Sequence, residues 1–387
     1  MSELASTTTR LAPTDLRSVR DAVLDTSGRI AIAGAGTAAD WAGRLGAVDA
    51  VLDTTGLTGV IVHNPGDMTA AVNAGMPLRA LCDELSSHGQ YVALDAARVG
   101  DGATVGGLLA TADAGPGALV HGSLRDLVIG ATLVLPDGTV ARTGGHVIKN
   151  VAGYDLTKVV HGSYGTLAVI AEVVLRLHPL PRGSVTIVLP CSLAEAAEHA
   201  VRVLAQPLEP AALEWVGESD VDGELLVRLE GSAGALEQRA ERVSRLLGSS
   251  ERHDGAPGVD ESAVRSGADA FARHVELTGG ATGAAVLRVG ARPSRLPALL
   301  ASLPGVVSIT AGLGTGVATV ALAPGSVADA HALVHAAGGT SVVRARPAGA
   351  DVPAWGPPPS ALGVLKAVKT ALDPQDRFGS GRFREWM

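Results

Sequence analysis

The alternation of apolar and polar positions predicts a chain with two differently built parts. Up to about residue 182, short apolar runs are broken repeatedly by glycine, as in "RIAIAGAG", which reads as a strand that ends in a glycine turn. From residue 183, strands and amphipathic helices follow one another in two βαββα-like halves. This second pattern predicts one sheet with helices on a single face.

Within the first part, "TLAVIAEVVLRL" barely alternates, which is typical of a strand buried on both faces. One helix is expected to begin near Asp67 or Thr69, and a second, rich in small residues, at the glycine pair of "ATVGGLLAT". The segment "VLPDGTV" predicts a hairpin turn between two strands.

These patterns divide the chain into three segments. The first domain is expected to span 1–182 and the second 183–346. A proline-rich stretch opens the last segment, 347–387, which continues with the helix "SALGVLKAVKTALDP" and the tail "QDRFGSGRF". Because this tail is too apolar for a flexible end, we expect the last segment to pack back on the first domain.

Composition narrows the possible partners. The 387 residues carry a formal charge of −8 and no basic run, which argues against direct binding to nucleic acid or to an anionic membrane. No apolar run approaches the ~18 residues of a membrane span, and the first residues lack a secretion-signal pattern. We therefore expect a cytoplasmic protein, which would reach the inner face of a membrane only through partners.

The only two cysteines are Cys82 and Cys191, both in apolar surroundings. A disulfide framework, a cysteine-rich zinc site and a cysteine-ligated iron–sulfur cluster each need more thiolates. The two residues are interpreted as small buried hydrophobic side chains. Any redox chemistry must use another group.

Glycine-rich loops are the candidate binding elements. Gly34 and Gly36 in "AGAGT" could bring bare backbone N–H groups to a phosphate, although a turn without a ligand would read the same way. A nicotinamide-binding Rossmann unit is disfavoured, because Ala39 is followed by a poor helix start, "DWAG". Gly106 and Gly107 lie at the N-terminus of a predicted helix, where they could bind an anion or permit tight helix–sheet packing.

A further glycine-rich segment is "KNVAGYDLTKVVHGSYG", in which Asp155 can cap a short helix that ends at Gly162. It leads directly into the buried strand described above. Glycine-centred loops spread over about 130 residues, each beside a strand, indicate one long, extended cofactor.

The order of the motifs "GAGT", "ATVGGLLATADAGP", "GSLRDLVIGATLVLPDGTVARTGG", "IKNVAGYDLTKVVHGSYGTLAVIAEVVLRLHP" and "LDPQDRFGSGRF" resembles the FAD-binding subunits of glycolate oxidase, also called glycolate dehydrogenase. These subunits belong to the vanillyl-alcohol-oxidase type of flavoprotein. The resemblance covers essentially the whole chain and is most specific across 101–181. It implies an α+β fold: a PCMH-type (vanillyl-alcohol-oxidase-like) FAD-binding domain of two α/β subdomains, plus an α+β cap domain with an antiparallel sheet.

The resemblance also implies FAD-binding residues. FAD is expected to be non-covalent, because Thr37 and Ala38 stand where some relatives have a histidine bonded to the flavin. The positions that carry over to the cofactor are Ala33, Gly34, Ala35, Gly36, Thr37, Thr104, Gly106, Gly107, Gly122, Ser123, Asp126, Lys149, Asn150, Gly153, Tyr154, Asp155, Gly162, Ser163, Gly165, Ile170 and Val174.

The substrate side is less clear in the sequence. Related D-2-hydroxyacid dehydrogenases keep a metal site in the cap, but the comparable pair here, His331 and His335, lacks a third ligand and reads as the polar face of a helix. No metal is expected. Oxidation of a 2-hydroxy acid needs a cation for the carboxylate and a base for the hydroxyl proton. The candidates are Arg228 and Arg288 for the first role and His146 for the second, with solvated surface roles as the alternative.

The resemblance implies a subunit of a glycolate-oxidising complex that passes electrons on to partners. Those partners would be a homologous FAD subunit and an iron–sulfur subunit, and the substrate a small 2-hydroxy acid. The alternatives are a free-standing FAD-dependent dehydrogenase or oxidase of the D-lactate type, and a scaffold whose flavin site has decayed.

Overall fold

The computed structural model of the chain describes residues 8–147, 153–248, 264–265 and 267–387. The chain forms two compact units. Unit 1 comprises Met1–Gly115, His121–Leu180 and Pro358–Met387, and unit 2 comprises Pro116–Val120 and Pro181–Pro357. Residues 347–357 thus cluster with unit 2, whereas the sequence pattern grouped them with the final helix. The predicted domain bounds, 1–182 and 183–346, stay a prediction.

Unit 1 contains two α/β layers. A parallel sheet has the strand order β1-β3-β2, and an antiparallel sheet has the order β4-β5-β9-β7-β8, with a small pair β10-β6 beside it. The bounds are β1 Thr9–Leu11, α1 Leu16–Asp25, β2 Ile30–Ala33, β3 Ala50–Asp53, β4 Val60–Asn64, β5 Thr69–Asn73, α2 Leu78–Ser86, β6 Gln90–Tyr91, α3 Val105–Ala110, α4 Ala118–His121 (shared between the units), α5 Leu124–Leu127, β7 Val128–Val134, β8 Val140–Gly144, α6 Leu156–Val160, β9 Val169–Arg176 and β10 His178–Pro179.

Strand β9 joins these two layers. Its Val169 packs with Ile30 and Leu52 of the parallel sheet, while Ile170 and Val173 pack into the cluster beneath α2 and α3. All four of the apolar positions Val169 to Ala171 and Val173 are buried. The prediction of a strand buried on both faces is therefore correct, and it explains why the run does not alternate.

The prediction of a helix that begins near Asp67 or Thr69 is wrong. Residues Thr69–Asn73 form strand β5 instead, which pairs with both β4 and β9, and the helix begins only at Leu78. Met68 has a left-handed backbone conformation (φ +50°), so the chain reverses there rather than continuing into a helix. Pairing with β9 outweighs the helix propensity of the alanines in "TAAVN".

Unit 2 is built on one antiparallel sheet with the strand order β14-β11-β13-β12-β16-β17-β15-β18. Helices α7, α8, α10 and α11 pack on one face over a large aliphatic core. The bounds are β11 Ser184–Pro190, α7 Leu193–Leu204, β12 Ala212–Gly217, β13 Gly223–Glu230, α8 Ala233–Leu247, β14 Val264–Arg265, α9 Gly267–Gly279, β15 Ala285–Gly290, α10 Leu296–Ala301, β16 Val306–Gly312, β17 Val317–Leu322, α11 Val327–Ala336 and β18 Thr340–Ala345.

The expectation of helices on a single face is also wrong. Helix α9 covers the opposite face, where Phe271 packs on Val188 and Leu226. Beside it, His274 Nε2 lies 3.4 Å from Glu214 Oε2, and both side chains are buried. The strands carry apolar residues on this second face too, so a helix is needed to cover them. The sequence pattern missed this helix because a long polar link precedes it.

His331 differs from its predicted surface position. It is buried, its Nδ1 lies 2.6 Å from Ser341 Oγ, and its Nε2 lies 3.2 Å from the carbonyl oxygen of Pro353. Both ring nitrogens thus have partners within unit 2. The ring ties α11 to β18 and to the proline-rich stretch, which is a structural role.

The C-terminal segment of unit 1 is helix α12, Leu362–Leu372, followed by a tail that packs beside β2. Phe378 is fully buried and forms a parallel bridge with Ile30. The buried Asp373 carboxylate accepts from Lys369 Nζ at 2.6 Å and from the backbone N–H of Phe378 at 2.8 Å. Lys369 Nζ also donates to the carbonyl oxygen of Thr166 at 2.9 Å. The tail is therefore fixed by one large apolar side chain and a buried ion pair.

We expect Phe378→Ala to lower the free energy of unfolding by about 3–5 kcal/mol, because it leaves a cavity in the small core around β2. Urea denaturation followed by circular dichroism measures this effect. The matched control is Val364→Ala on α12, where the side chain is 65% exposed, and a change within about 0.5 kcal/mol is expected. Equal losses for the two variants would contradict the proposed anchoring role of Phe378.

Candidate cofactor site

A cavity of about 230 Å³ opens in unit 1 at the end of β2. Its wall combines chain segments that are distant in sequence: the end of β2 with the loop after it, Val51 and Thr54 at β3, Arg98, helix α3, the start of β9, and the C-terminal tail. Ten of the predicted cofactor residues line it: Ala33, Gly34, Ala35, Gly36, Thr37, Thr104, Gly106, Gly107, Gly165 and Ile170.

The loop after β2 offers backbone donors to this cavity. Within the described residues, the N–H groups of Gly34, Ala35 and Gly36 donate to no other residue. Gly36 has φ +77° and open space where a Cβ would stand, whereas a Cβ on Gly34 would lie 2.6 Å from Thr104 Oγ1. Adjacent N–H groups on a glycine turn form a concavity that suits a phosphate group. This loop fits the diphosphate of a dinucleotide such as FAD.

The first N–H groups of helix α3 have partners within the protein, although Thr104, Gly106 and Gly107 line the cavity. The Gly106 N–H donates to Ala74 O at 2.7 Å and the Val105 N–H to Met76 O at 3.0 Å. The Gly107 N–H donates to Thr104 Oγ1 at 3.2 Å. These donors are therefore already bonded within the protein. A Cβ on Gly106 would approach Ala74 at 3.0 Å, so Gly106 permits close helix–strand packing, which was the alternative interpretation of this pair.

Arg98 was missed by the sequence analysis and lines the same cavity. Its guanidinium lies 4.0 Å above the Trp41 ring. It donates to Asp113 at 3.0 Å and to Thr37 Oγ1 at 2.7 Å, and also to Thr111 Oγ1 at 3.0 Å. This single side chain thus connects the loop after β2 with the end of α3. A lone arginine in "AARVGDG" gives no pattern from which the role could be predicted.

Other predicted cofactor residues lie outside the lining. Gly122, Ser123 and Asp126 begin helix α5, where Asp126 accepts from the Ser123 N–H at 3.0 Å in a capping box. Gly122 has φ +75°, and a Cβ there would collide with Asp126. Their local role is to start this helix, and contact with the cofactor stays a prediction.

The structure describes only part of the glycine-rich segment "KNVAGYDLTKVVHGSYG". Lys149 and Asn150 lie outside the described residues. Tyr154 is 91% exposed. Burial raises the pKa of Asp155, but hydrogen bonds from Thr157 and the charge of Lys158 outweigh it, so the net pKa is lowered. At the start of α6 the Asp155 side chain makes no cap hydrogen bond, whereas its backbone carbonyl oxygen accepts from the Lys158 N–H at 3.2 Å.

The remaining members of the predicted set also lie outside the cavity lining. Gly162 follows α6 with φ +76°, and the next residue, Ser163, is buried. Val174 lies within β9, between Ala71 of β5 and Gly130 of β7. Their contact with a cofactor likewise stays a prediction, as does that of Gly153.

His146 is the predicted base, and its surroundings constrain its tautomer. Its Nδ1 lies 2.8 Å from Thr69 Oγ1 and 3.1 Å from Asn64 Nδ2. If both groups donate, Nδ1 is the acceptor and the ring proton resides on Nε2. In that arrangement the ring can accept a second proton only at Nδ1, after those contacts are released.

The predicted cationic residues Arg228 and Arg288 lie on strands β13 and β15 of unit 2. Arg228 Nε is 3.4 Å from Glu230 Oε1, and its guanidinium lies 4.8 Å above the Phe271 ring. Arg288 stands opposite Thr319 of β17 and Val342 of β18. Neither arginine lines the cavity of unit 1.

Two further observations describe groups outside the cavity. Burial lowers the pKa of His178 to about 4, and the nearby charges of His121 and Arg176 contribute to the same effect. This ring is therefore neutral at ordinary pH. Burial also raises the pKa of the Cys191 thiol to about 11, as expected for an unreactive side chain.

The part of the chain that the structure describes contains no group of three or more His, Cys, Asp or Glu side chains that could hold a metal ion. Among the same residues, no helix is long and apolar enough to span a membrane.

Comparisons with known proteins identify relatives of the chain by sequence and by fold. The glycolate oxidase subunit GlcE of Escherichia coli (strain K12) is 35% identical over 200 residues, which is 52% of this chain and 55% of that protein. The mitochondrial D-lactate dehydrogenase [cytochrome] of Arabidopsis thaliana is 36% identical over 158 residues, 40% of this chain and 27% of that protein. The chain therefore spans about half or less of the length of these curated relatives. The resemblance to glycolate oxidase subunits is confirmed as sequence similarity.

A solved structure of alkyldihydroxyacetonephosphate synthase has a TM-score of 0.67 at 15% identity, covering 96% of this chain and 76% of that one. At this identity the likeness concerns the fold alone, and it confirms the predicted α+β architecture. Residues 11–144 match the family described as "FAD binding domain". This match, together with the similarity to flavoprotein relatives, supports FAD as the cofactor.

Proposed function

We propose that this chain is an FAD-carrying subunit of a complex that oxidises glycolate, or a closely similar 2-hydroxy acid, to the 2-oxo acid. The observation that carries this proposal is the match of residues 11–144 to the FAD binding domain family, together with the similarity to a glycolate oxidase subunit. FAD, when bound, supplies a two-electron acceptor for the hydride of the substrate.

The cofactor is proposed to place its diphosphate in the cavity at the end of β2. Three features support this position: the donors of Gly34 to Gly36, the bare turn at Gly36, and the absence of any carboxylate among the described lining residues. Thr37 is held by Arg98, so the loop is ordered by contacts of the protein itself. An ordered site binds with a smaller loss of conformational entropy.

For the substrate, the proposed carboxylate ligands are Arg228 and Arg288. Arg228 is paired with Glu230 and lies over Phe271, so recruiting it would break both contacts. His146 remains a candidate to hold the hydroxyl proton, with the restriction that Nδ1 is bonded to Thr69 in this arrangement. Arginine suits this role because its planar fork matches a carboxylate.

The electron partner is proposed to be a separate iron–sulfur subunit, beside a homologous FAD subunit. Two cysteines in the chain are too few to ligate such a cluster, and GlcE is itself named as a subunit. Association with the inner face of a membrane would then come from these partners. The second candidate is a free-standing D-lactate-type dehydrogenase, which the similarity to the plant D-lactate dehydrogenase favours.

Replacing Gly36 by aspartate tests the position of the cofactor. We expect Gly36→Asp to raise the Kd for FAD by roughly 100-fold, because a carboxylate ~5 Å from a phosphate repels it by about 3 kcal/mol at an effective dielectric constant of ~20. Quenching of flavin fluorescence on titration of the apoprotein measures Kd.

The control for this variant is Gly338→Asp in unit 2. Gly338 has φ +75°, nearly the same as Gly36 at φ +77°, and both have open space at the Cβ position. Backbone strain is therefore matched, and the control should keep the Kd of the wild type. An unchanged Kd for Gly36→Asp would contradict the proposed position of the diphosphate in this loop.

The two functions are separated by purifying the tagged chain from its native host. The complex predicts that an iron–sulfur protein and a second flavoprotein elute with it, and that glycolate reduces an artificial acceptor only in that eluate. The free-standing enzyme predicts a single yellow protein that oxidises D-lactate or glycolate by itself. A colourless chain that takes up no added FAD would contradict both.

A further inference from the structure

We infer that Arg98 is a positioning residue for the cofactor: it holds the Thr37 hydroxyl so that this hydroxyl donates a hydrogen bond to a phosphate oxygen of FAD. The inference rests on the proposed position of the FAD diphosphate in the cavity at the end of β2. Both residues line that cavity. The resemblance gave Thr37 as a cofactor position without a role for its side chain, and Arg98 was not among the predicted residues.

The Arg98 side chain is fixed by contacts with several chain segments of unit 1. It is only 11% exposed, and its guanidinium lies 4.0 Å above the Trp41 ring. Nε donates to Asp113 Oδ2 at 3.0 Å, Nη1 to Thr37 Oγ1 at 2.7 Å and Nη2 to Thr111 Oγ1 at 3.0 Å. A planar guanidinium makes such bonds in one fixed geometry. One side chain therefore sets the position of the Thr37 hydroxyl relative to the end of α3.

The buried Asp113 carboxylate determines how Arg98 can act on a ligand. Its side chain is 3% exposed, and its Oδ2 lies 3.0 Å from both Nε and Nη2 of Arg98. An ion pair of this geometry with additional hydrogen bonds is costly to break once it is buried. Arg98 is thus expected to keep its protein partners when the cofactor binds, and to act on the diphosphate through the hydroxyl that it holds.

The two threonine hydroxyls bonded to Arg98 differ in where their own protons are directed. Arginine N–H groups only donate, so each hydroxyl oxygen is an acceptor toward Arg98 and retains one O–H donor. Thr111 uses this donor within the helix, bonding to the carbonyl oxygen of Gly107 at 2.8 Å. Within the described residues, the Thr37 hydroxyl donates to no protein acceptor. A phosphate oxygen in the cavity is a charged acceptor, which makes a short and strong hydrogen bond.

Substitutions of Thr37 separate a hydrogen-bonding role from a packing role. We expect Thr37→Val, which keeps the shape, to raise the Kd for FAD about 20-fold, the range of a lost hydrogen bond to a charged group, whereas Thr37→Ser, which keeps the hydroxyl, changes it less than about threefold. The matched control is Thr111→Val, which removes the other hydroxyl bonded to Arg98 and should change the Kd less than about twofold. Titration of the full-length apoproteins with FAD, followed by quenching of flavin fluorescence, gives the values. A larger loss for Thr37→Ser than for Thr37→Val would indicate packing and overturn the inference.

A double-mutant cycle tests the role of Arg98. Arg98→Lys keeps a positive charge beside Asp113, but an ammonium group lacks the fork that holds both threonines. We expect this change to raise the Kd for FAD about tenfold in the wild type and less than about twofold in Thr37→Val, because its effect passes through the Thr37 hydroxyl. Equal effects in the two backgrounds, or an unchanged Kd in the wild type, contradict the inference. If Gly36→Asp weakens FAD binding in either of those cases, the proposed cofactor position survives and only the role of Arg98 fails.

Discussion

The approach of four backbone segments at the end of β2 is the constraint on which the rest of unit 1 depends. Gly34 faces Thr104, Gly165 faces Ile32, and Gly43 faces the carbonyl of Arg382. Any side chain at Gly34 or Gly43 would separate these segments. Since the cavity exists only where they converge, packing in this region and cofactor recognition have the same origin.

This convergence explains which parts of the site could be predicted. Gly34, Gly36 and Gly165 stand in glycine patterns beside strands, and such patterns are visible in one sequence. Arg98 and Arg382 belong to no periodic pattern, and they reach the cavity only through the tertiary fold. Isolated polar residues brought in by distant segments are the part of a site that single-sequence reasoning does not supply.

The errors in the predicted elements have physical reasons of the same kind. Alanines in "TAAVN" favour a helix locally, but pairing with β4 on one side and β9 on the other stabilises this segment as strand β5. Helix α9 follows a polar stretch, and only the apolar second face of the sheet, with Phe271 against Leu226, shows why a helix is needed there. Gly106 and Gly107 show a third limit: a glycine pair at a helix start has the same sequence whether its N–H groups face a ligand or bond to Ala74 and Thr104.

The position of the tail has a consequence for biosynthesis. Phe378 completes the core around Ile30, yet all of unit 2 is translated between these two residues. Until the tail has been synthesised, the chain therefore lacks one wall of the cavity, and contacts of such high sequence separation form late. Flavin should be retained only after the tail has been synthesised and has docked beside β2, and products of translation that stops before the tail should remain apoproteins.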